Sequence, residues 1–306
     1  MFLLIDIGGS NVRMALCAQN ALAHHGMPPR LLATHIDATP KSYDEFLAQF
    51  RTYLTSHDQE LFKGVPERIV IGIPGTRLEG VVTSCPFLPD YVGRQIAEDI
   101  ATAAGIPASR VHVHNDAYMV GIGEYATAHE ALKYASVYAS VAYLTISTGV
   151  GGAIYGKQEI VQWTEHATVP AAGLIPPGYE PGRQIVATDP DRSLEELISG
   201  AATEKRFGRK PREITDLKYW NWSAQYLARG IWNAMCLRHI HHVIIGGPMI
   251  VRKPGIDIMH VQEHLGKIVS ERPGVIMPKL SLAVHEDIGG LIGAAYIARA
   301  HHASRS

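Results

Sequence analysis

Phe2-Leu3-Leu4-Ile5-Asp6-Ile7-Gly8-Gly9-Ser10-Asn11 begins as an apolar, β-prone run and ends in a carboxylate, two glycines and a hydroxyl. Val12 to Cys17 is a second apolar run, so the stretch reads as two strands joined by a glycine turn. The same order returns further on. Ser136 to Ile146 is strongly β-prone, Ser147-Thr148-Gly149-Val150-Gly151-Gly152 follows, and Ala153 to Tyr155 is strand-like again. A spacing this long is not that of a solenoid, so we read two related halves.

In such a turn the backbone amides can point at phosphate oxygens, because glycine has no side chain to block approach. Gly8, Gly9, Ser10 and Asn11 form one candidate cradle, and Thr148, Gly149 and Gly151 a second. Asp6 could hold Mg²⁺ through water. An ordinary hairpin turn is the competing reading of each. Neither matches the P-loop, since no Gly-Lys-Ser/Thr follows. Neither fits the dinucleotide fingerprint, since each leads into a strand rather than a helix. A third glycine pair, Gly246-Gly247, closes the strand His241 to Ile245, where a flat ring could approach the backbone.

Between these turns, Leu31 to Ile36 and Arg68 to Gly72 read as strands, the latter closed by Pro74-Gly75. Ser42 to Tyr53 spaces Tyr43, Phe46, Leu47, Phe50 and Tyr53 as an amphipathic helix does. Tyr91 to Ala104 reads as helix and Val111 to His114 as strand. Asn115-Asp116 opens a helix through Tyr125. Further helices are expected at Trp222 to Leu237 and Asp287 to Ala300. Asp116, between a strand end and a helix start, reads either as an N-cap or as a general base for a hydroxyl nucleophile. The two roles are compatible, since a base needs a rigid seat.

The 306 residues are enough for about two domains. With 28 basic and 29 acidic side chains the net charge is −1, which gives no reason to expect nucleic acid as partner. Cys17, Cys85 and Cys236 lie far apart and read as reduced, structural thiols. The apolar start reaches Asp6 without a basic region or cleavage site, and no apolar run of ~20 residues exists. A cytoplasmic protein with no membrane partner is expected. His239, His241 and His242 cluster before a strand, but alternation would split neighbours between its faces, so we favour a packing role for them.

Taken together, the motifs resemble the ROK family (repressors, open reading frames and sugar kinases) of the hexokinase–actin superfamily, from Leu4 to about Ala300. Asp6 to Asn11 is similar to its first phosphate motif and Ser147 to Gly152 to its second, with serine where glycine is usual. Ile71 to Gly75 and Glu79 to Val82 resemble its Gly-Pro-Gly loop region, and Pro86-Phe87-Leu88-Pro89 the segment before the sugar site. Asn115-Asp116 with Gly123-Glu124 resembles the catalytic Asn-Asp and its helix. Val243 to Gly247 resembles the adenosine motif, and Gly289 to Ala295 the closing helix.

The resemblance implies a two-domain α/β fold of the actin-like ATPase, ribonuclease H-like type, with mixed sheets flanked by helices and an ATP cleft between domains. The expected division is 1–116 joined by 289–306, and 117–288. ATP and Mg²⁺ are the implied cofactors, and a hexose or N-acetylhexosamine the substrate, attacked at its 6-hydroxyl as in most family members. Asp116 is then the base, Asn115, His166, Glu195 and Gly75 face the sugar, and the glycine turns bind ATP. Family members are often dimers, so a homodimer is one arrangement the resemblance allows. No helix-turn-helix precedes Leu4, which leads us to expect the kinase branch.

The sequence also departs from the family. Where Glu-x-Gly-His is usual, Trp163-Thr164-Glu165-His166 stands, so His166 keeps the histidine position but Trp163 takes the glutamate's. The family's zinc loop before Leu-Glu and Ser-Gly has no cysteine here: Gly178 to Arg183 leads into Ser193-Leu194-Glu195 and Ser199-Gly200. A structural zinc needs about four Cys or His ligands, so none is expected. These departures motivate one rival, a sugar-binding sensor or regulator without turnover. An actin-like filament or scaffold is another, which the Asn115-Asp116 pair disfavours.

Overall fold

The structure is a computed structural model and describes residues 1–18, 29–56, 65–127, 140–156, 181–188 and 191–303. It divides into two compact units. One holds Met1–Thr127 and the chain from Asp287 onward; the other holds the described residues from 140 to 286.

The first unit is built on a five-stranded sheet. Strand β1 (Phe2–Ile7) forms the expected hairpin with β2 (Asn11–Cys17), and β2 pairs antiparallel with β3 (Leu31–Ala38). On its other side β1 pairs parallel with β4 (Arg68–Ile73). A small hairpin of β5 (Thr76–Leu78) and β6 (Val81–Ser84) follows, and then β7 (Val111–Asn115) joins β4 in parallel. The order is β3-β2-β1-β4-β7. Every residue of β1 is buried, as a central strand covered on both faces requires.

Alternation along β1 sorts its residues. Leu3, Ile5 and Ile7 join a core with Tyr43, Phe46 and Phe50 of the helix Tyr43–Ser56 and with Ile96 and Ile100 of the helix Ile96–Ala104. Phe2 and Asp6 point the other way, toward the terminal helix Gly289–Ala303: Phe2 meets the His302 ring, and Asp6 lies against Gly290. The expected helix from Tyr91 begins only at Ile96. Pro89–Tyr91 is a 3-10 turn, and Gly93 with φ 85° breaks the run between them.

The second unit repeats the plan. Strand β8 (Ser140–Ile146) forms a hairpin with β9 (Val150–Gly156). After a short pair, β10 (Ile185–Thr188) and β11 (Asp191–Ser193), the strand β12 (Ile240–Gly246) lies parallel to β8, and β13 (Lys279–Leu282) parallel to β12. The order is β13-β12-β8-β9. In both sheets the first strand of a glycine hairpin is followed, on its free side, by two parallel strands, so the repeated motif reflects a repeated topology.

The helix expected from Trp222 starts at Leu217, because Asp216 caps it by accepting from the Lys218 and Tyr219 amides. Cys17 and Cys85 are buried, whereas Cys236 is exposed. Among the described residues no helix is long and apolar enough to cross a membrane.

Candidate functional site

Parallel strands end on one edge of a sheet, and in open α/β sheets ligands collect beyond that edge. In the first unit β1, β4 and β7 are parallel neighbours. Their ends carry Gly8-Gly9-Ser10, Pro74-Gly75 and Asn115-Asp116 respectively. In the second unit β8 and β12 end at Ser147-Thr148-Gly149 and at Gly246-Gly247.

The first turn has its carbonyls tied back by neighbouring donors. Gly8 N–H donates to Asn11 O at 2.8 Å. All three carbonyls of the turn are claimed from one side: Thr39 Oγ1 donates to Gly8 O at 2.7 Å, Lys41 Nζ to Gly9 O at 2.8 Å, and Thr39 N–H to Ser10 O at 3.0 Å. Among the described residues no acceptor takes the amides of Gly9 and Ser10. Successive backbone amides left unclaimed in a turn are donors of the kind that anions take when they converge.

The second turn is wired the same way. Ser147 N–H donates to Gly149 O at 2.8 Å, Gly200 N–H to Ser147 O at 2.7 Å, and Ala201 N–H to Thr148 O at 3.0 Å. The amides of Thr148 and Gly149 are left without an acceptor among the described residues. Gly200 is needed for this approach, since a Cβ there would lie 2.8 Å from Ser147 O. Gly151 sits within β9, opposite Thr145, rather than in the turn itself. Gly247, at φ 92°, closes β12 against β8: a Cβ would come within 2.3 Å of Ile146 O. The adjacent Gly246 fits beneath Tyr143, whose Oη would be 2.9 Å from a Cβ.

Asp116 is the first residue of the helix Asp116–Thr127. The cap is its neighbour: Asn115 Oδ1 accepts from Tyr118 N–H at 3.0 Å, and Asn115 Nδ2 donates to Gly75 O at 3.3 Å. Asp116 Oδ1 accepts from the Ala117 amide at 2.8 Å, which orients the carboxylate. Gly75 has φ 92°, and a Cβ there would fall 1.8 Å from Ser84 O, so only glycine fits.

Asp6 is buried, and burial pushes its carboxyl up to about 6, against the opposing pull of Arg13. Among the described residues Arg13 is its one ion-pair partner, at 3.9 Å, and is shared with Asp287 at 2.9 Å. Gly290 makes room, since a Cβ there would lie 2.5 Å from the carboxylate. A buried carboxylate with so little compensation fits a nearby divalent cation. Groups of three or more metal-type side chains are absent among the described residues.

Glu195 is the second residue of the helix Leu194–Ile198, which follows a Ser193 capping box. Its Oε2 accepts from Val150 N–H at 2.7 Å, so it braces the strand leaving the second turn. Gly182 allows this, being close to both Val150 O and the Glu195 carboxylate. Trp163, Glu165 and His166 lie outside the described residues. His242 is buried, bonds Ser281 Oγ at 2.7 Å and is pushed down to about 4 by burial. Sequence reading passed over Thr39 and Lys41, because only pairing of β2 with β3 brings them to the first turn.

The family model that matches this chain is described as the ROK family and spans residues 2–301. A solved ROK family protein from Streptococcus pneumoniae TIGR4, in complex with sucrose, is 19% identical, covers 99% of each chain and has a TM-score of 0.71. A ROK hexokinase from Thermus thermophilus is 20% identical over 100% of this chain and 99% of its own, with a TM-score of 0.70. A ROK family glucokinase from Streptomyces griseus, in complex with glucose and AMPPNP, is 18% identical over 97% and 99%, with a TM-score of 0.66. No curated protein sequence matches the chain. At these identities the structural likeness is one of fold.

Proposed function

The chain belongs to the ROK family, and from that premise we propose that it is a cytoplasmic sugar kinase, transferring the γ-phosphate of ATP to the 6-hydroxyl of a hexose or N-acetylhexosamine. The observation that carries this reading is the pair of turns, each with tied-back carbonyls and two unclaimed amides, in the place the motif order assigns to ATP phosphates. Asp116, at the end of the strand next but one to the first turn, supplies the base.

In the reaction the sugar oxygen attacks the γ-phosphorus as the bond to the β–γ bridging oxygen of ADP breaks. The hydroxyl proton passes to the Asp116 carboxylate, whose orientation the Ala117 amide holds. Asn115 keeps a second Nδ2 proton for a sugar oxygen after bonding Gly75 O. Gly246-Gly247, at the end of β12, meet the adenine ring in this reading, an assignment that the motif resemblance supports. Mg²⁺, bound with the nucleotide and held by Asp6 through water, would neutralise phosphate charge. His166 and Glu195 complete the sugar contacts in this reading. Trp163, standing where the family has a glutamate, removes one polar contact and adds bulk, so discrimination among these sugars is expected to differ from that of a glucokinase-like member that keeps the glutamate.

The test is ADP release over a panel of hexoses and N-acetylhexosamines, with Asp116→Asn as control. Turnover on one sugar, falling roughly 10²- to 10⁴-fold in Asp116→Asn while sugar affinity holds, is expected. Near-normal turnover in the variant would refute the base. Sugar binding with no ADP release on any substrate would favour the sensor reading.

A further inference from the structure

We infer that Lys41 is a ligand for the terminal phosphates of the nucleotide at the first turn. The inference rests on the kinase reading and names a residue that reading does not use.

Lys41 lies just beyond β3, and its ammonium is held by backbone rather than by an acid. Nζ donates to Gly9 O at 2.8 Å and to Phe87 O at 3.2 Å. An ammonium has three donors, so one N–H remains beyond these two carbonyls. Among the described residues no carboxylate lies within ion-pair distance of it, whereas Lys210 is paired with Glu204 and Lys253 with Asp257. A surface lysine usually samples many rotamers in water. Here two carbonyls on separate segments fix the charge without neutralising it.

The place where it is fixed gives the charge its meaning. Gly9 O, which Lys41 holds, belongs to the turn whose Gly9 and Ser10 amides are unclaimed. Phe87 lies tight on the same glycine, its Cβ 3.0 Å from where a Gly9 Cβ would be. The Cys85 thiol links the site to the base: burial pushes it up, the Asp116 carboxylate adds to that, and the Lys41 ammonium opposes it. Both charges therefore act on one buried sulfur. A cation fixed beside two unclaimed amides, with no carboxylate partner among the described residues, is what a terminal phosphate requires, and charge-assisted bonds to phosphate are the strong ones.

Calorimetry with ATP and with AMP separates this role from a structural one. Lys41→Gln keeps two N–H donors on a slightly shorter side chain and loses the charge; Lys41→Met loses both donors and charge. In each, ATP affinity is expected to fall roughly 10- to 100-fold, the range for a bond to a charged group, while AMP affinity stays within about twofold. Unchanged ATP affinity, or equal loss for ATP and AMP, would overturn the inference. A wild-type protein that binds no adenine nucleotide would bring down the kinase reading itself.

Discussion

Burial strips water from the Asp6 carboxylate, and Arg13 at 3.9 Å only partly replaces it. The folded protein therefore prefers Asp6 protonated, with its pKa raised from 3.8 to about 6. The sign follows from linkage: the proton's contribution to stability is complete below the unfolded value and is lost as pH rises through the folded one. Asparagine mimics the protonated form at every pH. In metal-free buffer Asp6→Asn should match the wild type below about pH 4 and exceed it at pH 8 by on the order of 3 kcal/mol. Denaturant melts at both pH values check this, and a variant less stable than wild type at pH 8 would contradict it. A carboxylate kept in the fold at such a cost fits a role in function rather than in stability.

The helices that carry Asp116 and close on Asp6 approach each other through glycine. A Cβ on Gly293 would lie 1.7 Å from Met119 O, and one on Gly123 2.4 Å from Gly289 O. The terminal helix therefore meets the helix Asp116–Thr127 almost backbone to backbone, and this crossing seats Asp116. Gly293→Ala should force the helices apart and cost about 1–3 kcal/mol or more. Gly266→Ala, in the helix Ile258–Ser270 with nothing within 4 Å, should instead stabilise by ~0.4–1 kcal/mol. Thermal melts of the two variants should move in opposite directions, and shifts of the same sign would sink the argument. Elements of this kind were partly legible. The glycine hairpins stood out because β-branched runs flank them, and the Asn115-Asp116 helix because a polar pair follows a strand. The helix Ile258–Ser270 is less legible, although Asp257 caps it and Val261 and Leu265 mark its buried stripe. Strand order was not legible, since it depends on pairings between distant segments. For the same reason the Glu195 to Val150 bond, across 45 residues, and the Thr39 and Lys41 contacts had no local signal.

At the scale of the molecule, and among the described residues, two of the hydrophobic clusters share no residue. One gathers Leu3, Ile5, Phe46, Ile71 and Ile100; the other gathers Leu144, Leu194, Leu227, Ile231 and Ile245. Each core supports its own set of site residues. Leu194, next to Glu195, packs against the helix Leu217–Leu237 at Gly230, where a Cβ would come 2.7 Å from Leu194 Cδ2. The brace on the second turn is therefore only as firm as that core. Leu227 is fully buried, and Leu227→Ala should cost about 2–5 kcal/mol through lost contacts and the cavity left behind. That loss belongs to the unit that makes the contacts, since opening free energies are regional. Segment-resolved hydrogen exchange should show faster exchange in β8, β9 and β12 and little change in β1 and β4. Phe46→Ala should give the reverse pattern. Uniform acceleration of all five strands by either variant would mean that the two cores open as one, and that the two turns cannot be tuned separately.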